Sequence, residues 1–117
     1  MKAEIRSFFW VDVVPEQIQA NVVDESFVIA SLEIGPRGGQ GAEIFYASFF
    51  TPQWLIETLG HEQVVSGRHH YFVKEIDLVK QRSFLEMTVL SLDGEDWPAL
   101  AQQLARVMAW EFEDYRP

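Results

Sequence analysis

Two apolar runs, residues 27–34 and 43–50, flank the stretch Gly35-Pro36-Arg37-Gly38-Gly39-Gln40-Gly41. Both are rich in β-branched and aromatic residues and are short enough for strands. Proline and four glycines between them cannot continue either run and supply turn conformations. The pair predicts a β-hairpin, and the rest of the chain has to pack around it. A glycine-rich loop after a strand also suggests phosphate binding. Here the Lys-Ser/Thr of a phosphate loop is missing, and a strand pattern follows where a helix would be needed.

Around this hairpin the remaining elements follow from local signals. Residues 2–11 alternate, with Ala3, Ile5, Phe9 and Val11 on one face and Lys2, Glu4 and Arg6 on the other. That is a half-buried strand, although Phe8 and Trp10 fall on its polar side. Residues 12–25 read as a loop with one helical turn near Pro15 to Ala20. The second strand is apolar on both faces apart from Ser31 and Glu33, which suits a central position. Thr51-Pro52 opens a helix, by a capping hydroxyl and a proline at the first helical position, and Gly60 ends it. Gly67-Arg68-His69-His70 leads into a strand at Tyr71, Phe72 and Val73. Residues 76–92 read as a helix buried on more than one side. Asp96 caps a last helix expected over residues 97–114.

In that last helix Trp97, Ala101, Leu104, Met108, Phe112 and Tyr115 form one apolar stripe. Trp110 then projects to the polar side beside Arg106, Glu113 and Asp114, where it is either covered by its own chain or exposed as an interface anchor. Arg106 and Trp110, four apart, could meet in a cation–π contact. Glu111 points at the apolar stripe and needs a partner, such as Arg6, Arg68 or a histidine; Arg68 for its part is expected to pair with a carboxylate of the C-terminal segment, Glu111 first. The order of elements predicts an α+β fold: an antiparallel-rich sheet of four or more strands with two to three helices on it. At 117 residues the expectation is a single domain spanning 1–117.

Charge narrows the function classes. The chain carries a net charge of −9, and from Asp93 onward six acids against two bases leave −4. Such a surface is unsuited to nucleic acid or to an anionic membrane. It suits a basic protein partner drawn in by long-range attraction. There is no cysteine, so no thiolate chemistry or disulfide framework is available. No apolar run reads as a signal peptide or a membrane span, and the expected location is the cytoplasm. His69 and His70 are adjacent on a strand and point to opposite faces, so they cannot chelate one metal together. No metal or cofactor is expected.

Four pieces occur in order: residues 1–8 (Met-Lys-Ala-Glu-Ile-Arg-Ser-Phe), Thr51-Pro52-Gln53-Trp54-Leu55, Gly67-Arg68-His69-His70 before an apolar strand, and Trp110-Glu111-Phe112-Glu113-Asp114-Tyr115. Together they resemble the immunity protein 8 family, small cytoplasmic proteins encoded beside polymorphic or contact-dependent bacterial toxins. The resemblance implies a non-enzymatic protein that binds and neutralises its cognate toxin domain. If that toxin is a basic nuclease, acidic side chains can stand where its active site expects phosphates. The resemblance supplies no catalytic residues. The contact residues expected from charge and aromatic placement are Trp110, Glu113, Asp114 and Arg106; Arg68 and Glu111 are expected to form a structural ion pair. Two readings from other classes stand beside it: a small hydrolase or transferase using Arg68, His69 and Glu111, and a self-associating module, for instance a homodimer.

Overall fold

The structure is a computed structural model that describes residues 1–23 and 25–111. Its elements run β1 (Ala3–Trp10), α1 (Pro15–Ala20), β2 (Phe27–Pro36), β3 (Glu43–Phe50), α2 (Pro52–Leu59), β4 (His70–Phe72), α3 (Leu78–Ser91), α4 (Trp97–Val107) and β5 (Ala109–Trp110). The five strands form one sheet in the order β1-β2-β3-β4, with β5 also paired to β3. The β1–β2, β2–β3 and β3–β5 pairs are antiparallel, and β3–β4 is parallel. The expected α+β, antiparallel-rich architecture is therefore what the chain adopts. The parallel pair follows from the connection through α2 and residues 60–69, which returns the chain to Ser48 so that β4 runs beside the last three residues of β3.

One face of the sheet is covered. Val28, Ala30, Leu32 and Ile34 of β2 and Phe45, Ala47 and Phe49 of β3 are buried with Leu85 and Val89 of α3 and Leu100 and Leu104 of α4. Alternation along the strands sends the intervening residues to the other face. There α2 covers one end only: Trp54 stacks on Phe27 at 4.7 Å and lies 5.0 Å from Phe50.

The helix starts are held by side chains. Thr51 Oγ accepts the N–H of Trp54 at 3.3 Å, and Asp96 accepts that of Ala99 at 2.9 Å, both as the local sequence suggested. Asp77 does the same for Lys80 at 3.0 Å. Asn21, in a left-handed conformation after α1, reaches across to the same helix start. Its amide oxygen accepts the N–H of Leu78 at 2.7 Å, and its Nδ2 donates to Asp77 at 2.9 Å.

Three sequence expectations need correction. A β-bulge between Ile5 and Ser7 inserts Arg6 into β1 and shifts its register. Phe8 and Trp10 therefore turn into the core, and Phe9, expected inside, is 55% exposed. The helix over 76–92 exists as α3, but it is buried on one side only, by Leu78, Gln81, Leu85 and Val89, with Met87 and Leu90 exposed. The last helix stops at Val107, because Met108 is extended (φ −143°, ψ 157°) and β5 follows. The middle of β3 needs a backbone partner on its far side, and Ala109 and Trp110 provide it opposite Tyr46 and Phe45. The remainder of the expected helix, residues 112–114, lies outside the described residues.

Candidate interaction surface

Beside β5 the chain forms an open concavity of about 530 Å³ lined by Arg68, His69, Gln102, Ala105, Arg106 and Trp110. Three elements meet here. A turn at residues 66–70 presents Arg68 and His69: His70 N–H donates to Gly67 O at 3.1 Å, and Arg68 N–H donates to Ser66 Oγ at 3.2 Å. His69 is held at φ +62°, a left-handed conformation unusual for a side-chain-bearing residue. Burial, then the neighbouring Arg68 and His70, hold its pKa below the ordinary 6.5, so the imidazole is neutral at neutral pH. The last turn of α4 supplies Arg106. Tyr71 locks β4 to that helix end by donating its hydroxyl to Val107 O at 2.6 Å, and burial pushes its phenol pKa up.

Trp110 enters from β5. Its register opposite Phe45 places it on the covered side of the sheet, where the two rings stack 6.2 Å apart. Of the two placements open from sequence, the ring is thus packed on its own chain, and half-buried. Arg106 and Trp110 do share a surface, through the concavity and not as neighbours on one helix. Glu111 continues the pairing: its N–H donates to Ile44 O at 3.2 Å, and its carboxylate accepts the Ile44 N–H at 3.3 Å. Arg68 and Glu111 are both exposed. Glu113 and Asp114, the remaining expected contacts, lie outside the described residues.

The two histidines diverge, though not by strand alternation as expected, since His69 lies in the left-handed turn and only His70 is on β4. His69 lines the concavity, whereas His70 packs on the opposite face, 5.4 Å from the Phe50 ring. Among the described residues there is no group of three or more His, Asp or Glu able to hold a metal, and no helix long and apolar enough to cross a membrane. Sequence reasoning missed Phe9 and Tyr46, which register places on the open side of the sheet on either side of Ser31. Only the position of the bulge could have revealed Phe9.

The model of one family, described as immunity protein 8, matches residues 3–115 of this chain. The chain belongs to the immunity protein 8 family. The match includes every described element of the fold, so membership applies to the whole sheet and its helices and not to an isolated motif. No curated protein and no solved structure matches the chain. As a member of the immunity protein 8 family, the chain takes the role of an immunity protein, which implies a cognate toxin as its partner.

Proposed function

We propose that this chain neutralises its cognate toxin by binding the toxic domain directly, without chemistry of its own, and that this domain is basic. The observation that carries the reading is the family match across residues 3–115. The net charge of −9 supports the sign of the partner, because opposite charge speeds encounter and disfavours wrong partners. A nuclease is the toxin class that fits best, since its phosphate-binding groups would meet carboxylates.

Within this proposal Arg106, Trp110, Glu113 and Asp114 belong to the contact. The acids after Asp93 act mainly on encounter, and Trp110 contributes through the part of its ring that Phe45 leaves uncovered. Arg68 has a structural part, in an ion pair with a carboxylate of the C-terminal segment, Glu111 first. The protein acts in the cytoplasm, where a delivered toxin would do its damage.

The test is co-expression with the toxin domain encoded beside this chain's gene. Cells producing both should survive, and cells producing the toxin alone should not. Death despite abundant, folded immunity protein would overturn the reading.

A further inference from the structure

The face of the sheet turned away from α3 and α4 has no role in what is described above. Register sets its side chains in rows. Phe9, Ser31 and Tyr46 stand side by side across β1, β2 and β3. Phe9 is 55% and Tyr46 38% exposed, while Ser31 between them is 4% exposed. Neighbouring strands lie about 4.8 Å apart, so the backbone positions that carry the two rings are roughly 10 Å apart, with the buried serine between them. The next row carries Glu33 between Ser7 and Ile44. At the other end α2 adds the Phe27–Trp54 stack, which with Glu25 and Glu57 lines an open concavity of about 370 Å³.

Apart from one internal ion pair, the charges on this face are acidic. The base at an outward strand position is Arg6, and its guanidinium is occupied. It meets Glu4 at 3.3 Å and donates to the carbonyls of Pro36 and Gly39 at 2.7 and 2.8 Å. Arg6 lies next to Glu33 across the bulge but pairs with Glu4, and among the described residues Glu33, Glu25 and Glu57 are in no ion pair. The outward side of α3 is also apolar, with Val79, Met87 and Leu90 exposed, but Lys80 and Arg82 against Glu86 leave these charges at +1, the wrong sign for a basic partner. Two copies of the open sheet face would bring like-charged rims together, which disfavours self-pairing. A partner that is basic and presents apolar side chains satisfies both the rings and the rim.

We propose that the open face of the sheet is the docking surface for the toxin domain, with Phe9 and Tyr46 as its anchors and Glu33, Glu25 and Glu57 facing basic groups; this rests on the neutralisation reading above. The surface extends the contact around β5, since Tyr46 pairs with Ala109 and the concavity holding Trp110 lies on the other side of that strand.

The experiment measures binding of the toxin domain encoded beside this gene to the full chain, by surface plasmon resonance. Phe9→Ala combined with Tyr46→Ala should raise Kd about 30-fold or more, as loss of interface anchors does. Val79→Ala with Met87→Ala, on the opposite side of the molecule, should leave Kd within about threefold. Both ring positions are exposed, so thermal melting should stay near wild type. If the double variant does melt early, Glu33→Lys, outside the aromatic row, takes its place and should weaken binding chiefly by slowing association. Wild-type binding that survives both the ring and the Glu33 changes overturns the docking surface and leaves neutralisation intact. So does loss of binding confined to the α3 variants, or a wild-type dimer that the ring substitutions dissociate. No binding by the wild-type chain overturns neutralisation itself.

Discussion

The indole of Trp110 lies nearly parallel to the ring of Phe45, tilted by 12° at 6.2 Å between centroids. This stack joins the last strand to the middle of β3 and makes Trp110 part of the core boundary as well as of the proposed contact. Trp110→Ala should therefore cost stability, on the order of 2 kcal/mol for a half-buried ring with one aromatic partner. Trp110→Phe should recover most of it. Thermal melting followed by circular dichroism checks both; an alanine variant that melts with wild type would mean that the stack contributes nothing.

Asn21 fastens the start of α3 from a distant part of the chain. Its amide oxygen satisfies the Leu78 N–H, and its Nδ2 holds the Asp77 carboxylate that caps Lys80. Asn21→Ala should destabilise the protein by about 1–2 kcal/mol, the usual cost of losing such a cap. Asn21→Asp should do little better, because it sets a second carboxylate against Asp77. Urea unfolding with unchanged slope would distinguish lost stability from a changed unfolded state.

The hydrogen bond from Asn21, followed by that from the Lys80 amide, holds the Asp77 pKa below its ordinary 3.8. The Met1 ammonium, with Lys2, does the same for Asp93. A carboxylate whose folded pKa is depressed binds fewer protons folded than unfolded just below its ordinary value. Its contribution is thus complete above 3.8 and drains away as pH falls through the lower folded value. Stability should decline on the acid side of 3.8 in the wild type, and more shallowly in Asp77→Asn. Equal acid slopes in the two proteins would contradict the role given to Asp77.

Arg68 is exposed. The ion pair proposed for it with the C-terminal segment is consequently worth about 1 kcal/mol or less, in the range of surface pairs. Arg68→Ala should lower the melting temperature by only a few degrees, and added salt should narrow the gap to wild type. A fall several times larger would show that Arg68 is an integral part of the core boundary.

Glu113 and Asp114 are proposed to act on encounter. Glu113→Gln with Asp114→Asn should slow association and flatten its dependence on ionic strength, with little change in dissociation. Surface plasmon resonance at two salt concentrations separates these rates. A change confined to dissociation would make the two acids close contacts.

What could be read from sequence was what neighbours in the chain decide. Thr51-Pro52 and Asp96 announced their helices because a cap acts within three residues. The strands of the hairpin were legible because a turn rich in glycine joins them directly. The misread features all depend on distant partners. Arg6 is a bulge residue only in register with β2, so the direction of Phe9 was beyond any reading of β1 alone. Residues 108–110 have helical spacing, and they leave the helix because the backbone of β3 offers better partners. The apolar residues Met87 and Leu90 on the outer side of α3 resemble core residues in composition, and only the position of the sheet shows that nothing described covers them. The open sheet face was illegible for the same reason: Phe9, Ser31 and Tyr46 become one surface through pairing across three strands.

The way β3 is completed has a consequence for synthesis. One edge of β3 takes β2 almost at once through the hairpin, but the amide of Ile44 waits for Glu111, 67 residues downstream. At about 5–20 residues per second on the ribosome, the interval is roughly 3–13 s. For those seconds the nascent chain carries a bare strand edge beside aromatic residues, the condition under which chains pair with one another instead of with themselves. The segment that ends this exposure is the one proposed to meet the toxin, so an emerging molecule becomes safe from its own kind at the moment it becomes able to protect the cell.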